Sequence, residues 1–147
     1  MAIRRLDNVL IVVEDLDAVI AFFVELGLEL EGSGPLDWPG AERVIGLTGV
    51  RQDVAMLRVP GGPGRVELAR FHRPAAVRSE PVDAPANTLG LRRVMFAVDE
   101  LDDLLLRLRH GHGAELVGEV VPYGDLFRLC YVRGPEGIVV GLAEELR

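Results

Sequence analysis

The feature that most constrains this chain is a strand-and-helix phrase that occurs twice. Residues 8–23, NVLIVVEDLDAVIAFF, return 85 positions later as residues 93–108, RVMFAVDELDDLLLRL. Val9 matches Val94, Val13 matches Val98, and Glu14-Asp15-Leu16-Asp17 matches Asp99-Glu100-Leu101-Asp102. Each copy passes from a mostly apolar run through an acidic turn into an i, i+3, i+4, i+7 stripe. The stripe is Leu16, Val19, Ile20 and Phe23 in the first copy, and Leu101, Leu104, Leu105 and Leu108 in the second. That is the pattern of a β-strand, a helix cap and an amphipathic helix. Two copies in one short chain predict a domain built by internal duplication.

Length and composition narrow what such a domain does. The 147 residues suit one compact domain with enough apolar side chains for a core. Arg4, Arg5, Asp7 and Glu14 interrupt any run that would serve as a signal peptide. No stretch approaches the roughly 20 apolar residues of a membrane span. The single cysteine, Cys130, excludes an internal disulfide and fits a reducing cytoplasm. All 16 basic residues are arginine, which excludes a lysine Schiff base and a lysine-bearing phosphate loop. Coding bias is the plain explanation for that usage. A net charge of −7 and few aromatic residues argue against nucleic acid as a partner.

Taken in order, residues 3–13 read as the first strand, with Glu14 and Asp15 capping a helix that runs to about Leu26 and stops at Gly27. Residues 28–31 alternate as a short strand, and residues 32–40, rich in Gly and Pro around Trp38, carry a loop signature. Residues 41–47 suit a short helical turn. Strands over 53–59 and 65–71 are joined by Pro60-Gly61-Gly62-Pro63-Gly64, a plain hairpin loop. Residues 72–89, with Pro74, Pro81 and Pro85, form the linker. The second half repeats the plan with a strand over 91–98, a helix over about 100–110, and strands near 114–117, 126–133 and 138–143. Each half therefore predicts strand, helix, strand, strand, strand.

The two βαβββ units, the linker and the closing phrase Arg133-Gly134-Pro135-Glu136-Gly137-Ile138 resemble the vicinal oxygen chelate superfamily. That group contains glyoxalase I, bleomycin-resistance proteins, methylmalonyl-coenzyme A epimerase and extradiol dioxygenases. The resemblance covers nearly the whole chain and implies an α+β fold of two tandem βαβββ modules whose sheets form an open cup. It divides residues 1–147 into module 1 over about 3–72, a linker over about 73–90 and module 2 over about 91–146. It also implies a homodimer and one small-molecule pocket shared by the halves.

Metal-dependent members of that family place four ligands at the start of the first strand, on the fourth, at the start of the fifth and on the eighth. By motif these positions fall on Asn8, Glu67, Arg93 and Gly141. The first and third are usually His and the fourth usually Glu, so only Glu67 is kept. A divalent site needs three or four converging N or O donors. Asn8 offers a weak amide oxygen, glycine offers nothing, and a guanidinium is a permanent cation where the metal would sit. The expectation is no metal and no other cofactor. His110 and His112 end the second helix, and His72 has the opposite strand parity to Glu67, so none replaces the lost ligands.

Strand parity then assigns the pocket lining, since alternate residues share a face. Asn8, Leu10 and Val12 face the cup on the first strand, and Glu67, Ala69 and Phe71 on the fourth. Arg93, Met95 and Ala97 follow on the fifth, and Val139, Gly141 and Ala143 on the last. The candidate catalytic residues are Glu67 as general base and Arg93 as an anchor for a carboxylate or oxyanion. An internal Glu67–Arg93 ion pair that neutralises a vestigial site is the alternative. Gly141 is expected to leave room where a ligand side chain stood. Asn8, Leu10, Phe71 and Met95 are assigned to substrate binding, with Trp38 either stacking on a flat ligand or anchoring its loop. Tyr123 is expected as a lid residue in a second-half loop, Cys130 as a small core residue, and Arg128 on the cup face by shared parity with Cys130.

Three functions remain. The first is a protein that binds a metabolite or antibiotic in an apolar cup, with Glu67 and Arg93 as polar anchors. The second is a metal-independent isomerase, cyclase or lyase. The third, a glyoxalase or dioxygenase with rearranged metal ligands, is disfavoured by the lost donors.

Overall fold

The duplicated phrase folds alike in both copies. The computed structural model describes residues 2–36 and 38–146 and falls into two units, residues 1–78 and 79–147. In the first unit, strand β1 (Val9–Val12) leads into helix α1 (Leu16–Leu26), followed by β2 (Glu29–Pro35), a short helix α2 (Ala41–Ile45), β3 (Arg51–Arg58) and β4 (Arg65–Arg73). In the second, β5 (Val94–Val98) leads into α3 (Leu101–His112), then β6 (Glu115–Leu116), β7 (Val121–Tyr123), β8 (Phe127–Arg133) and β9 (Val139–Glu145). The sheet orders are β1-β4-β3-β2 and β5-β9-β8-β6, with β7 also pairing β8. Two mixed sheets built from tandem βαβββ phrases are the architecture the repeat predicts.

The repeat extends to hydrogen-bond register. Strand β1 runs parallel to β4 with Val9 opposite Val66 and Leu10 opposite Glu67. Strand β5 runs parallel to β9 with Val94 opposite Val140 and Met95 opposite Gly141. Equivalent residues of the two copies thus meet equivalent partners.

One face of each sheet is closed by its helix. In α1, Val19, Phe22 and Phe23 are fully buried, the two rings edge to face at 5.4 Å, and Val66, Leu68 and Leu57 are buried with them. In α3, Leu101, Leu104 and Leu108 are buried, as are Val132, Val140 and Leu142 of the sheet. Each such side chain contributes about 1.5–3 kcal/mol through the apolar surface it removes from water. The opposite faces stay open: Leu10, Val12 and Met95 are each more than two-fifths exposed.

Helix ends follow the sequence in one copy and depart from it in the other. The Asp15 carboxylate accepts a hydrogen bond from the Ala18 amide at 3.1 Å, and α1 ends on Gly27 at φ 120°. The second acidic turn does not cap itself, because Glu100 is left-handed and its side chain makes no cap bond. Instead Glu144 of β9 accepts from the Leu101 amide at 2.9 Å.

Several boundaries move for reasons of pairing. β1 begins at Val9 rather than residue 3, because its partner β4 starts at Arg65 and earlier residues have no strand beside them. β5 likewise begins at Val94 rather than 91. Residues 32–35, expected as loop, belong to β2, which pairs with Asp53–Met56 of β3 after a bulge between Leu30 and Gly32. Glycine and proline are tolerated there because β2 is an edge strand. Asp37, within the expected loop, lies outside the described residues, as do Met1 and Arg147 at the ends of the expected domain. The expected linker gives up Arg73 to β4, and the division between the units falls inside it. Part of it is held down, since Arg133 donates to the carbonyls of Val82 at 3.1 Å and Ala84 at 2.9 Å.

Candidate functional site

Register places the candidate residues more firmly than parity alone, because directly opposed residues share a sheet face. In unit 1, Glu67 lies between Leu10 on β1 and Met56 on β3. The next row along is Val12, Ala69 and Val54, and beyond it Phe71 faces Gln52. Asn8 precedes β1 on the same parity and is half-buried. From Glu67 toward Phe71 the side chains of this face are mostly apolar, whereas on its other side the row of Arg65 and Arg58 is charged, with Arg65 paired to Glu31 and Arg58 to Glu29. Among the described residues of unit 1, Glu67 has no hydrogen-bonded or ionic partner. His72 is engaged elsewhere, with its Nε2 2.8 Å from Asp53.

In unit 2 the equivalent row is Met95, Gly141 and Tyr131. Glycine here does not leave an open space, as parity alone suggested. A β-carbon on Gly141 would lie 3.1 Å from the Met95 sulfur, so the Met95 side chain already covers the position. Arg93, two residues before Met95, carries its guanidinium 4.5 Å from the centre of the Tyr131 ring. Such a cation–π contact fixes the cation without neutralising it. No carboxylate of unit 2 pairs with Arg93 among the described residues. The neighbouring row is Ala97, Ala143, Leu129 and Val121, which is wholly apolar.

Two assignments change side or element. Arg128 does not share the open face with the pocket residues. Its Nη2 lies 2.7 Å from Glu144 and 3.3 Å from Asp102 of α3, on the helix side where Cys130 is buried. That is the side that alternation with the buried Cys130 and Val132 gives it, and Asp102 and Glu144 meet its charge there. The carboxyl of Glu144 is held below its ordinary value, first by the Leu101 amide and then by the Arg128 guanidinium. Burial pushes the Cys130 thiol up, which suits a core residue and not a nucleophile. Tyr123 is not in a lid loop. It stands on β7 opposite Phe127, because a short strand forms along the edge of β8. Trp38 is 55% exposed and folds against Gly40, where a β-carbon would lie 2.7 Å from its ring. The Trp38 carbonyl also accepts from the Ala41 amide at 3.0 Å.

Sequence reasoning missed Tyr131 and Gln52. The alternation Leu129-Cys130-Tyr131-Val132, with Cys130 and Val132 as core, carried the signal for Tyr131. Gln52 is 4% exposed, yet it lies opposite Phe71 on the open-face parity. Only the register reveals that placement.

The donor chemistry does not fit a divalent metal of the kind the resemblance implies. Unit 2 supplies a guanidinium seated on a ring and a glycine covered by a thioether. Unit 1 supplies one carboxylate and one amide at the corresponding positions. Among the described residues, no group of three or more His, Cys, Asp or Glu side chains is placed to hold a metal ion. A divalent centre needs more anionic or imidazole donors than these.

Known proteins agree with this fold. Residues 5–142 match the family model of the Glyoxalase/Bleomycin resistance protein/Dioxygenase superfamily. A glyoxalase family protein from Bacillus cereus is 49% identical, with a TM-score of 0.91 over 100% of this chain and 99% of that one. An antibiotic-binding protein from a Streptomyces species shares the fold at 20% identity and a TM-score of 0.61, over 99% and 98% of the two chains. A fosfomycin resistance protein from Listeria monocytogenes does so at 14% identity and 0.63, over 95% and 92%. No curated protein matches the chain. With a family model spanning most of its residues and a half-identical structural relative, this chain belongs to the glyoxalase/bleomycin resistance protein/dioxygenase superfamily.

Proposed function

We propose that the chain binds a small organic molecule on the open faces of its sheets without a family-type metal centre, with Glu67 and Arg93 as the charged anchors. The observation that carries this reading is Arg93, a permanent cation at a family ligand position, seated over Tyr131 and left without a carboxylate from its own unit. The row toward the far end of β5, Ala97, Ala143, Leu129 and Val121, is apolar, which suits a small-molecule site with sparse orienting groups. The antibiotic-binding relative of the same fold supports a binding role.

Glu67 favours a second reading. A carboxylate between Leu10 and Met56 with no partner in its unit is available as a general base, which suits a metal-independent isomerase, cyclase or lyase. On either reading the protein acts as a homodimer in the cytoplasm, supported by the family resemblance and the single cysteine. Neither reading takes nucleic acid as a partner, given the net charge of −7.

Elemental mass spectrometry of the purified, dialysed protein is the first test. Near-stoichiometric zinc, nickel, iron or manganese, lost on Glu67→Ala, would overturn the metal-free reading. Arg93→Met and Glu67→Gln are each expected to weaken ligand binding at least tenfold, the loss of one charge-assisted hydrogen bond. Saturable turnover abolished by Glu67→Gln would select the enzyme, and stoichiometric binding without turnover the binding protein. Unchanged binding in both variants rejects the anchors.

A further inference from the structure

We infer that the open face of unit 2 takes an organic monoanion, a carboxylate on a flat apolar body, with Tyr131 holding the Arg93 guanidinium in position to receive it. This rests on the reading above that the face binds a small molecule, and it adds the chemical class of the ligand and a positioning residue.

The charge of the ligand follows from which cations are already engaged. Among the described residues of the unit 2 sheet and its approach, Arg92 is paired with Glu80 at 3.0 Å. Arg128 is paired with Glu144 and Asp102, and Arg133 donates to the carbonyls of Val82, Ala84 and Gly137. Arg93 has only a ring. A guanidinium over an aromatic face keeps N–H groups that can meet both oxygens of a carboxylate in a bidentate pair. One available cation matches one negative charge, and a dianion would leave the second uncompensated.

The body of the ligand follows from the rows beside the anchor. Met95 and Ala97 continue β5 on the same face, with Ala143 and Leu129 across the strands. None offers a hydrogen bond, so a polar body would lose water there without replacement. Ala97 and Ala143 are small, which leaves a low floor between Met95 and Leu129. From Arg93 to Ala97 the strand covers roughly 13 Å, enough for a carboxylate and a fused ring pair. Met95 and Ala97 are both exposed, so the floor is open to a ligand.

Tyr131 acts through Arg93. Its ring limits where a long and otherwise flexible side chain goes, and it lies in the Met95–Gly141 row, so the guanidinium is held at the head of the apolar floor. Phenylalanine retains the ring face and leucine removes it.

The test is calorimetric titration of the full chain with 2-naphthoate, its neutral analogue 2-naphthylmethanol and the dianion 2-naphthyl phosphate. Naphthoate is expected to bind at least tenfold tighter than either of the others. Arg93→Met is expected to remove that discrimination while leaving 2-naphthylmethanol affinity within threefold. Tyr131→Leu is expected to weaken naphthoate three- to tenfold without changing the affinity for the alcohol, and Tyr131→Phe to restore it. A merely structural Tyr131 would move both ligands together, and thermal melts of each variant establish that it is folded. If acid and alcohol bind equally, or the phosphate binds tightest, the monoanion assignment falls while the binding role stands. If no naphthalene probe of any charge binds, the reading of this face as a site falls and takes the inference with it.

Discussion

A single added methyl group separates two kinds of glycine in this chain. Gly137 lies at φ 81°, and a β-carbon there would run into the backbone carbonyl of Val82. Neither the left-handed backbone nor a carbonyl held by Arg133 relaxes cheaply, so Gly137→Ala is expected to destabilise by about 1–3 kcal/mol in urea denaturation. At Gly141 the obstacle is the end of Met95, a flexible thioether, so Gly141→Ala is expected to cost less than about 1.5 kcal/mol. The same comparison marks what was legible at individual residues. Glu67 and Arg93 could be placed on their faces from alternation. That Met95 covers Gly141, and that Tyr131 lies under Arg93, could not, because each contact joins different strands.

The two helices are one sequence motif stabilised by two devices. α1 carries its own cap, so Asp15→Ala is expected to lower stability by about 1 kcal/mol in the same assay. α3 depends on Glu144, which is held in turn by Arg128 at 3.0 and 2.7 Å. Because the Glu144 carboxyl is lowered in the folded chain, its ionised form adds stability above the ordinary carboxylate value of 4.5. That contribution is lost as pH falls from there through the lowered value. Glu144→Gln is therefore expected to reduce the melting temperature at pH 7, and the difference from wild type should shrink toward zero on acidification below 4.5. A constant difference across that window would remove the linkage. The acidic runs predicted both helix starts correctly, but the cap of α3 comes from a residue 43 positions away.

Across the whole molecule, charge and duplication are the two properties that composition makes plain. With 23 acidic against 16 basic residues and a pI near 5.0, solubility is expected to pass through a minimum near that pH. Light scattering against pH checks it, and a minimum well above pH 7 would contradict the charge balance. No helix among the described residues is long and apolar enough to cross a membrane. Duplication appears in the paired registers, where Leu10 meets Glu67 as Met95 meets Gly141. The copies have diverged at these pairs, so one sheet face carries a carboxylate and the other a guanidinium on a tyrosine.

By itself the sequence determined the strand-and-helix start of each unit and most of the strands after it, the duplicated plan, the helix ends at Gly27 and Asp15, and which residues share a face. All of these rest on spacings of a few residues, where propensity and periodicity act. Only the tertiary structure decided where strands begin and end, that residues 32–35 join β2 and that β7 exists. It also decided what lies against Gly141 and Arg93. Each depends on a partner supplied from elsewhere in the chain, and a strand without a neighbour, a cap without a carboxylate or a cation without a ring has no local signature.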